Sequence, residues 1–297
     1  MSVRHPIIGV TGSSGAGTSR VLRLFERLFN KLELQAAIVE GDAYHAYDRV
    51  QLRVALERAR IRGENFSLFG PGGNLLERLE GLLRDYGERG GGIVRRYLHT
   101  EVEAMEAGLP VGSFTPWEKL PANTDLLFYE GLHGAFVGDD INIARHMDLL
   151  IGLVPVINLE WIQKIRRDTE ERGHDAEDVM HTILRRMPDY VNHIVPQFSR
   201  TDINFQRVPL VDTSNPFAVR EIPTPEESLV VIHFNENSRI PVNFEKLIPK
   251  LEGAFRSKDK TLVVPGKHME KAMEVILQPA VEQLMRERNL ALKKAIA

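Results

Sequence analysis

The apolar run Pro6-Ile7-Ile8-Gly9-Val10-Thr11 leads straight into Gly12-Ser13-Ser14-Gly15-Ala16-Gly17-Thr18-Ser19, and an amphipathic segment follows over 19–32. Strand, glycine loop and helix in this order constrain the fold more than any other feature. Glycines spaced as in G-x-x-x-x-G-K-[ST] build a loop whose backbone N–H groups turn inward around phosphate oxygens, at the positive end of the following helix. The spacing predicts that Gly12, Ser13, Ser14, Gly15, Ala16, Gly17, Thr18 and Ser19 cradle a nucleotide, that the Ser19 hydroxyl holds magnesium, and that Arg20 reaches phosphate. Thr18 occupies the place of the usual lysine, so the cation against the outer phosphates must come from elsewhere. An ordinary Gly- and Ser-rich turn is the alternative, and the flanking strand and helix count against it.

Further strand-like runs at 36–40, 125–130 and 146–155, separated by helical patterns, predict a mostly parallel sheet. In such sheets ligands sit beyond the carboxyl ends of the strands, where Asp42 and Glu130 fall. One acid beside the attacked hydroxyl and one near the metal suit phosphoryl transfer, with Asp42 as base and Glu130 on the magnesium side. A helix opening at Asp42 and running to Arg62 aligns His45 and Arg49 with it at i+3 and i+7.

The helical pattern over 158–172 places Lys164, Arg167 and Asp168 on one face, continued by Arg172, with Arg185 and Arg186 one helix later. A solvated, salt-bridged surface has the same pattern. The missing loop lysine favours Lys164 or one of these arginines as the cation that stabilises phosphoryl transfer. Gly173 and Asp175 read as a helix stop and an N-cap. Short strands at 208–211, 229–234 and 261–264 precede a terminal helix from about Lys267, which Pro279 is expected to kink or divide.

Lys and Arg number 38 against 41 Asp and Glu, a net charge of −3 that argues against nonspecific nucleic-acid binding and against a polybasic membrane anchor. No run of about 18 apolar residues occurs, and residues 1–10 lack the pattern of an export signal, so a cytoplasmic protein without membrane attachment is expected. The absence of cysteine excludes disulfides, thiolate catalysis and thiol-based regulation.

The glycine loop, Glu40-Gly41-Asp42, Leu127-Phe128-Tyr129-Glu130-Gly131-Leu132-His133-Gly134, Asn158-Leu159-Glu160-Trp161-Ile162-Gln163-Lys164 and Val211-Asp212-Thr213-Ser214-Asn215-Pro216-Phe217 resemble the successive blocks of bacterial phosphoribulokinases. The resemblance spans nearly the whole chain. It implies an α/β fold of the P-loop NTPase type, three-layered, with a mostly parallel mixed sheet: a single kinase domain over 1–297, with a core over about 1–220 and a C-terminal extension over 221–297. It also implies ATP- and magnesium-dependent phosphorylation of D-ribulose 5-phosphate at its 1-hydroxyl. By the same resemblance Asp42 matches the catalytic base and Glu130 the acid of the second nucleotide motif. Lys164 and Asp168 match active-site residues, and His45, Arg49, Arg167 and Arg172 match sugar-phosphate contacts. Tyr97 and His99 match a further active-site block, and a homo-oligomer with NADH and AMP as possible effectors is implied.

Arg20, Ala46 and Gly72 depart from the family pattern, standing for a small hydroxyl residue, an arginine and an acid. Two other readings stay open: a related kinase for an acceptor such as uridine or pantothenate, and a nucleotide-responsive regulator without turnover. The cations Arg49, Arg167 and Arg172, with Arg185 and Arg186 nearby, favour an acceptor that already carries a phosphate.

Overall fold

The computed structural model describes residues 3–13, 18–138, 140–171, 173, 175–218 and 221–296, the side chains of 18, 19, 171 and 296 excepted. In chain order the elements are β1 (Ile7–Gly12), α1 (Thr18–Lys31), β2 (Ala36–Glu40), α2 (Arg49–Arg62), α3 (Leu76–Arg89), β3 (Ile93–Val94), α4 (Glu101–Ala107), β4 (Glu118–Lys119), β5 (Leu126–Gly131), β6 (Leu149–Val154), α5 (Ile157–Arg166), α6 (Ala176–Asp189), β7 (Ile203–Pro209), β8 (Ser228–Phe234), α7 (Phe244–Leu247), β9 (Phe255–Lys258), β10 (Thr261–Pro265) and α8 (Met269–Ile296). One eight-stranded sheet runs β2-β5-β1-β6-β7-β8-β10-β9, and β3 and β4 form a separate ribbon. The strands from β2 to β7 pair in parallel, and β8, β10 and β9 continue the sheet antiparallel.

Burial on both faces explains why β1 and β5 read as continuous apolar runs. Alternate residues go to opposite sides. Ile8, Val10 and Phe128 join a core with α1 and α8, whereas Ile7, Leu127 and Tyr129 join one with α3. Val21, Leu24, Phe25, Leu28 and Phe29 supply α1 with the i, i+3, i+4, i+7, i+8 stripe that such a layer needs. The result is helix, sheet, helix.

Four expectations change. No helix opens at Asp42: a 3₁₀ turn, Gly41–Tyr44, ends at His45, and α2 begins anew at Arg49 behind an Asp48–Gln51 capping box. The strand expected at 208–211 starts at Ile203, because Ile203 and Phe205 fill the core and Leu210 and Val211 lie beyond its end. Helix α5 passes at Arg167 into a π-helical turn, Arg167–Glu171, while Gly173 adopts φ 69° and Asp175 caps α6 as predicted. Helix α8 runs unbroken through Pro279, held by Ala272, Met273, Ile276, Leu277, Ala280 and Val281 packed into the core. Helix α4 and strand β9 have no counterpart in the sequence reading.

Asp148 caps the edge of this core: its Oδ2 accepts the Ile7 N–H at 2.9 Å. Burial pushes its pKa up to about 6 from the ordinary 3.8, against the Ile7 hydrogen bond and Arg239. A carboxyl whose folded pKa is raised contributes stability below its unfolded pKa and loses it as pH rises through the folded one. Wild-type stability is therefore expected to fall between pH 3.8 and about 6 relative to Asp148→Asn, which keeps the acceptor. The change should be on the order of 2 kcal/mol. Urea unfolding across that range measures it, and a constant offset between the two proteins would show that Asp148 does not titrate there.

Candidate active site

Strands β1, β5 and β2 end together. Val10 and Glu40 both register with Glu130, so Ser13, Glu130 and Asp42 emerge from one edge of the sheet. The close approach needs glycine: a Cβ on Gly41 would lie 2.7 Å from the Tyr129 hydroxyl and 2.8 Å from the Gly131 Cα. Gly12 likewise abuts Leu153, where a Cβ would come within 2.9 Å of the carbonyl oxygen. Beyond Gly12 and Ser13, the predicted loop residues Ser14, Gly15, Ala16 and Gly17 lie outside the described residues, as do the Thr18 and Ser19 side chains and Arg172.

The 3₁₀ turn holds Asp42 half-exposed between two histidines. His45 Nε2 lies 3.4 Å from Oδ1 and His99 Nε2 3.6 Å from Oδ2, with Glu40 Oε2 at 3.8 Å from His99. Burial lowers the His45 pKa, with Asp42 acting against it and His99, Arg95 and Arg186 with it, so a neutral imidazole faces the carboxylate at pH 7. Tyr97 meets both rings edge-on, 6.2 Å from His45 and 4.8 Å from His99. Because the turn ends at His45 and α2 starts anew, exposed Arg49 lies off that helical line, its N–H bonded to Gly112 O at 2.8 Å.

A second cluster comes from α5, its π turn and α6. Lys164 Nζ bonds Asp168 Oδ2, and Arg167 Nε lies 3.5 Å from the other carboxylate oxygen. Burial lowers the Lys164 pKa, and Asp168 opposes that shift. Burial also brings Arg186 down to about 10; its guanidinium lies 5.7 Å from the Phe69 ring centre and its Nε is buried without a hydrogen-bond partner. Its charge also helps to lower the His45 pKa, so the two clusters lie within electrostatic reach of each other. Arg185 instead donates to the Phe66 carbonyl at 3.0 Å, and exposed Arg20, on the first turn of α1, adds to the burial that depresses the Arg207 pKa on β7.

Several contributors escaped the sequence reading. Glu160 is held above the usual carboxylate range by burial, opposed by Ser13, Lys164, Arg167 and Arg186. The Ser13 hydroxyl approaches it without closing a well-formed bond, since Ser13 Oγ and Glu160 Oε2 are both buried without one. Gln197 ties β1 to the next loop by accepting from Thr11 Oγ1 and Ala135 N and donating to Leu132 O. Burial brings the His133 pKa down to about 4, and its neutral ring donates from Nε2 to Phe69 O at 3.1 Å. Position in a quoted block was the only signal for His133, in the one around Glu130, and for Glu160, in Asn158–Lys164; Gln197 carries none.

Cations, carboxylates and orphaned polar atoms around the mouth of a phosphate-type loop suit a polyanionic ligand. Among the described residues no three His, Asp or Glu side chains converge as metal ligands. Glu130 at the strand end therefore fits a magnesium bound largely through phosphate oxygens and water. Asp168→Asn removes the carboxylate that upholds the Lys164 charge, so the Lys164 titration is expected to move further down. Lysine side-chain NMR against pH reads this directly, and an unmoved titration would refute the coupling.

A family model described as the phosphoribulokinase / uridine kinase family matches residues 7–214. The plasmid phosphoribulokinase of Cupriavidus necator is 54% identical over 292 residues, covering 98% of this chain and 99% of the relative. The probable phosphoribulokinase of Escherichia coli is 52% identical over 98% of this chain and 100% of its own. The structure of phosphoribulokinase from Rhodobacter spheroides superposes with a TM-score of 0.89 at 47% identity, over 97% of this chain and 100% of that one.

Proposed function

The chain belongs to the phosphoribulokinase / uridine kinase family, as an ATP-dependent kinase of D-ribulose 5-phosphate, and we propose that Asp42 is the base that starts its phosphoryl transfer. The reaction yields ribulose 1,5-bisphosphate, the acceptor used in carbon fixation. The observation that carries the proposal is the Asp42 carboxylate at the end of β2, bracketed by His45 and His99 at 3.4 and 3.6 Å, with the basic cluster within electrostatic reach.

Asp42 takes the proton of the attacking 1-hydroxyl as its oxygen bonds the γ-phosphorus and the bond from that phosphorus to the β,γ-bridging oxygen breaks, releasing ADP. His45 and His99 flank its two oxygens and orient the carboxylate. The glycine loop, with Arg20 at its edge, holds the nucleotide phosphates, while Lys164, kept charged by Asp168, replaces the missing loop lysine. Arg186 and Arg167 add charge stabilisation, and Arg49, Arg172, Arg185, Tyr97 and His99 complete the sugar-phosphate subsite. Magnesium, when bound through Ser19 and Glu130, screens the phosphate charge. Catalysis of this kind is positioning and electrostatics.

The same reading takes residues 1–297 as a single kinase domain, supported by β8, β9 and β10 continuing the sheet of the core. It includes a cytoplasmic homo-oligomer without nucleic-acid or membrane partners; no described helix is long and apolar enough to cross a membrane. NADH and AMP as effectors rest on resemblance to the family.

Asp42→Asn is expected to lower kcat by at least roughly 10²-fold with ATP binding little changed. ADP release from Mg-ATP with ribulose 5-phosphate, ribose 5-phosphate, uridine and pantothenate checks both claims. Wild-type turnover only with ribulose 5-phosphate supports the assignment. Full activity of the variant removes Asp42 from the mechanism.

A further inference from the structure

Two loops have to be held together for the Asp42 site to exist. One is the turn Gly41–Tyr44 with His45; the other is the segment over 95–99 that carries Tyr97 and His99. That segment pairs with residues 112–115 through Leu98 N to Ser113 O at 2.9 Å, Gly112 N to Leu98 O at 2.7 Å and Thr115 N to Arg96 O at 2.9 Å. It lies outside the main sheet, so parallel strand pairing does not place it against Asp42.

The side chain that joins the two is Arg95. Its Nε donates to Ala43 O at 2.8 Å and its Nη2 to His45 O at 2.7 Å, spanning the end of the turn just after Asp42. Its guanidinium carbon lies 3.5 Å from the centre of the Phe114 ring and 4.7 Å from that of Trp117, so the plane is stacked as well as hydrogen-bonded. Tyr44 closes the same joint, with its hydroxyl 3.4 Å from Ile93 O and its ring edge-on to Trp117. Among the described residues no carboxylate lies within ion-pair distance of Arg95. A half-buried guanidinium that forgoes a carboxylate for two carbonyls and two aromatic faces is committed to geometry rather than to charge neutralisation. Lysine supplies one point charge and no planar fork, and does not reproduce it.

We infer that Arg95 is the positioning residue that fixes the Asp42–His45 turn against the Tyr97–His99 segment, and so sets the direction in which the base meets the sugar hydroxyl. The inference rests on Asp42 acting as the base. The described contacts of Arg95, to Ala43, His45, Phe114 and Trp117, lie on the Asp42 side, so its loss is expected to act on the chemical step and the sugar and to leave ATP aside. Its neighbour Arg96, exposed and without these contacts, is the internal control.

The experiment compares Arg95→Lys, Arg95→Met, Arg95→Ala, Arg96→Met and Asp42→Asn as full-length proteins, measuring kcat and both KM values by ADP release and stability by thermal melting. Misplacing a base by about 1 Å costs on the order of 10²-fold, so all three Arg95 variants should lose about that much in kcat while KM for ATP stays within about twofold. Arg96→Met should retain kcat. Guanidinium ion at millimolar concentration should restore part of the kcat of Arg95→Ala by filling the vacated stack. Should Arg95→Met fail to fold, the Arg95→Lys kinetics and the guanidinium rescue decide the matter. An Arg95→Lys enzyme with wild-type kcat, or one whose KM for ATP rises as kcat falls, overturns the inference. An Asp42→Asn enzyme with full activity instead defeats the assignment of the base on which the inference stands, whatever the Arg95 variants do.

Discussion

The parallel alignment of β1, β5 and β2 is what every later feature requires. Their backbones close to contact at Gly41 and Gly131, where even a methyl group would collide with the Tyr129 hydroxyl. Because Glu40 and Val10 both register with Glu130, a slip of one residue in either pairing would turn every side chain of that strand to the other face. Asp42 and Glu130 would then leave the edge where the glycine loop begins. Apolar burial on both faces of the strands prevents that slip, so the core and the site are specified by the same register.

On that scaffold the site concentrates positive charge in a poorly hydrated place. Lys164 and Arg186 both have their pKa lowered by burial, and the acids around them, Asp168 and the pKa-raised Glu160, compensate only in part. Such an arrangement costs stability in the empty protein. A bound phosphate supplies the missing negative charge, so the free energy of desolvating these cations is spent before the ligand arrives. Lys164 and Asp168, at i and i+4, meet where α5 passes into the π turn, and Arg167 lies beside them. In the proposed mechanism the lysine that the loop lacks at Thr18 is answered by half-buried Lys164 on another element.

What was legible in the sequence was local. The strand-loop-helix at Gly12, the acids at strand ends and the spacing of Lys164 and Asp168 follow from short-range rules, and the structure brings the clusters around Asp42 and Lys164 within electrostatic reach of each other. What failed was continuity. Nothing in the apolar pattern over 42–62 reports that Asp48 caps a new helix with Gln51, so the alignment of Arg49 with Asp42 was an artefact of assuming one helix. Pro279 misled in the opposite sense, since packing along α8 outweighs one missing hydrogen bond. Arg95 and Gln197 were invisible because Arg95 bonds the backbone carbonyls of Ala43 and His45, 52 and 50 residues away, and Gln197 accepts from Thr11 and Ala135, 186 and 62 residues away; the burial of Glu160 beside Ser13 is equally non-local.

The departures from the family pattern fall where this structure is permissive. A side chain on Gly72 would meet only the Phe66 ring edge at 3.9 Å, so the position tolerates gain or loss of an acid without repacking. Arg20 lies exposed on the first turn of α1, and its charge is felt at Arg207 on β7, away from the Asp42 turn. Ala46 lines an open cavity of about 680 Å³ with Tyr47, Val50, Val54, Arg58 and Phe66. Its backbone N–H bonds Gly73 O at 2.9 Å, a second anchor of that turn beside the Arg95 bond to His45 O. Substitution at 46 therefore changes what borders the turn and leaves its two anchors in place, which is why a chain lacking the family arginine there keeps Asp42 and His45 in register.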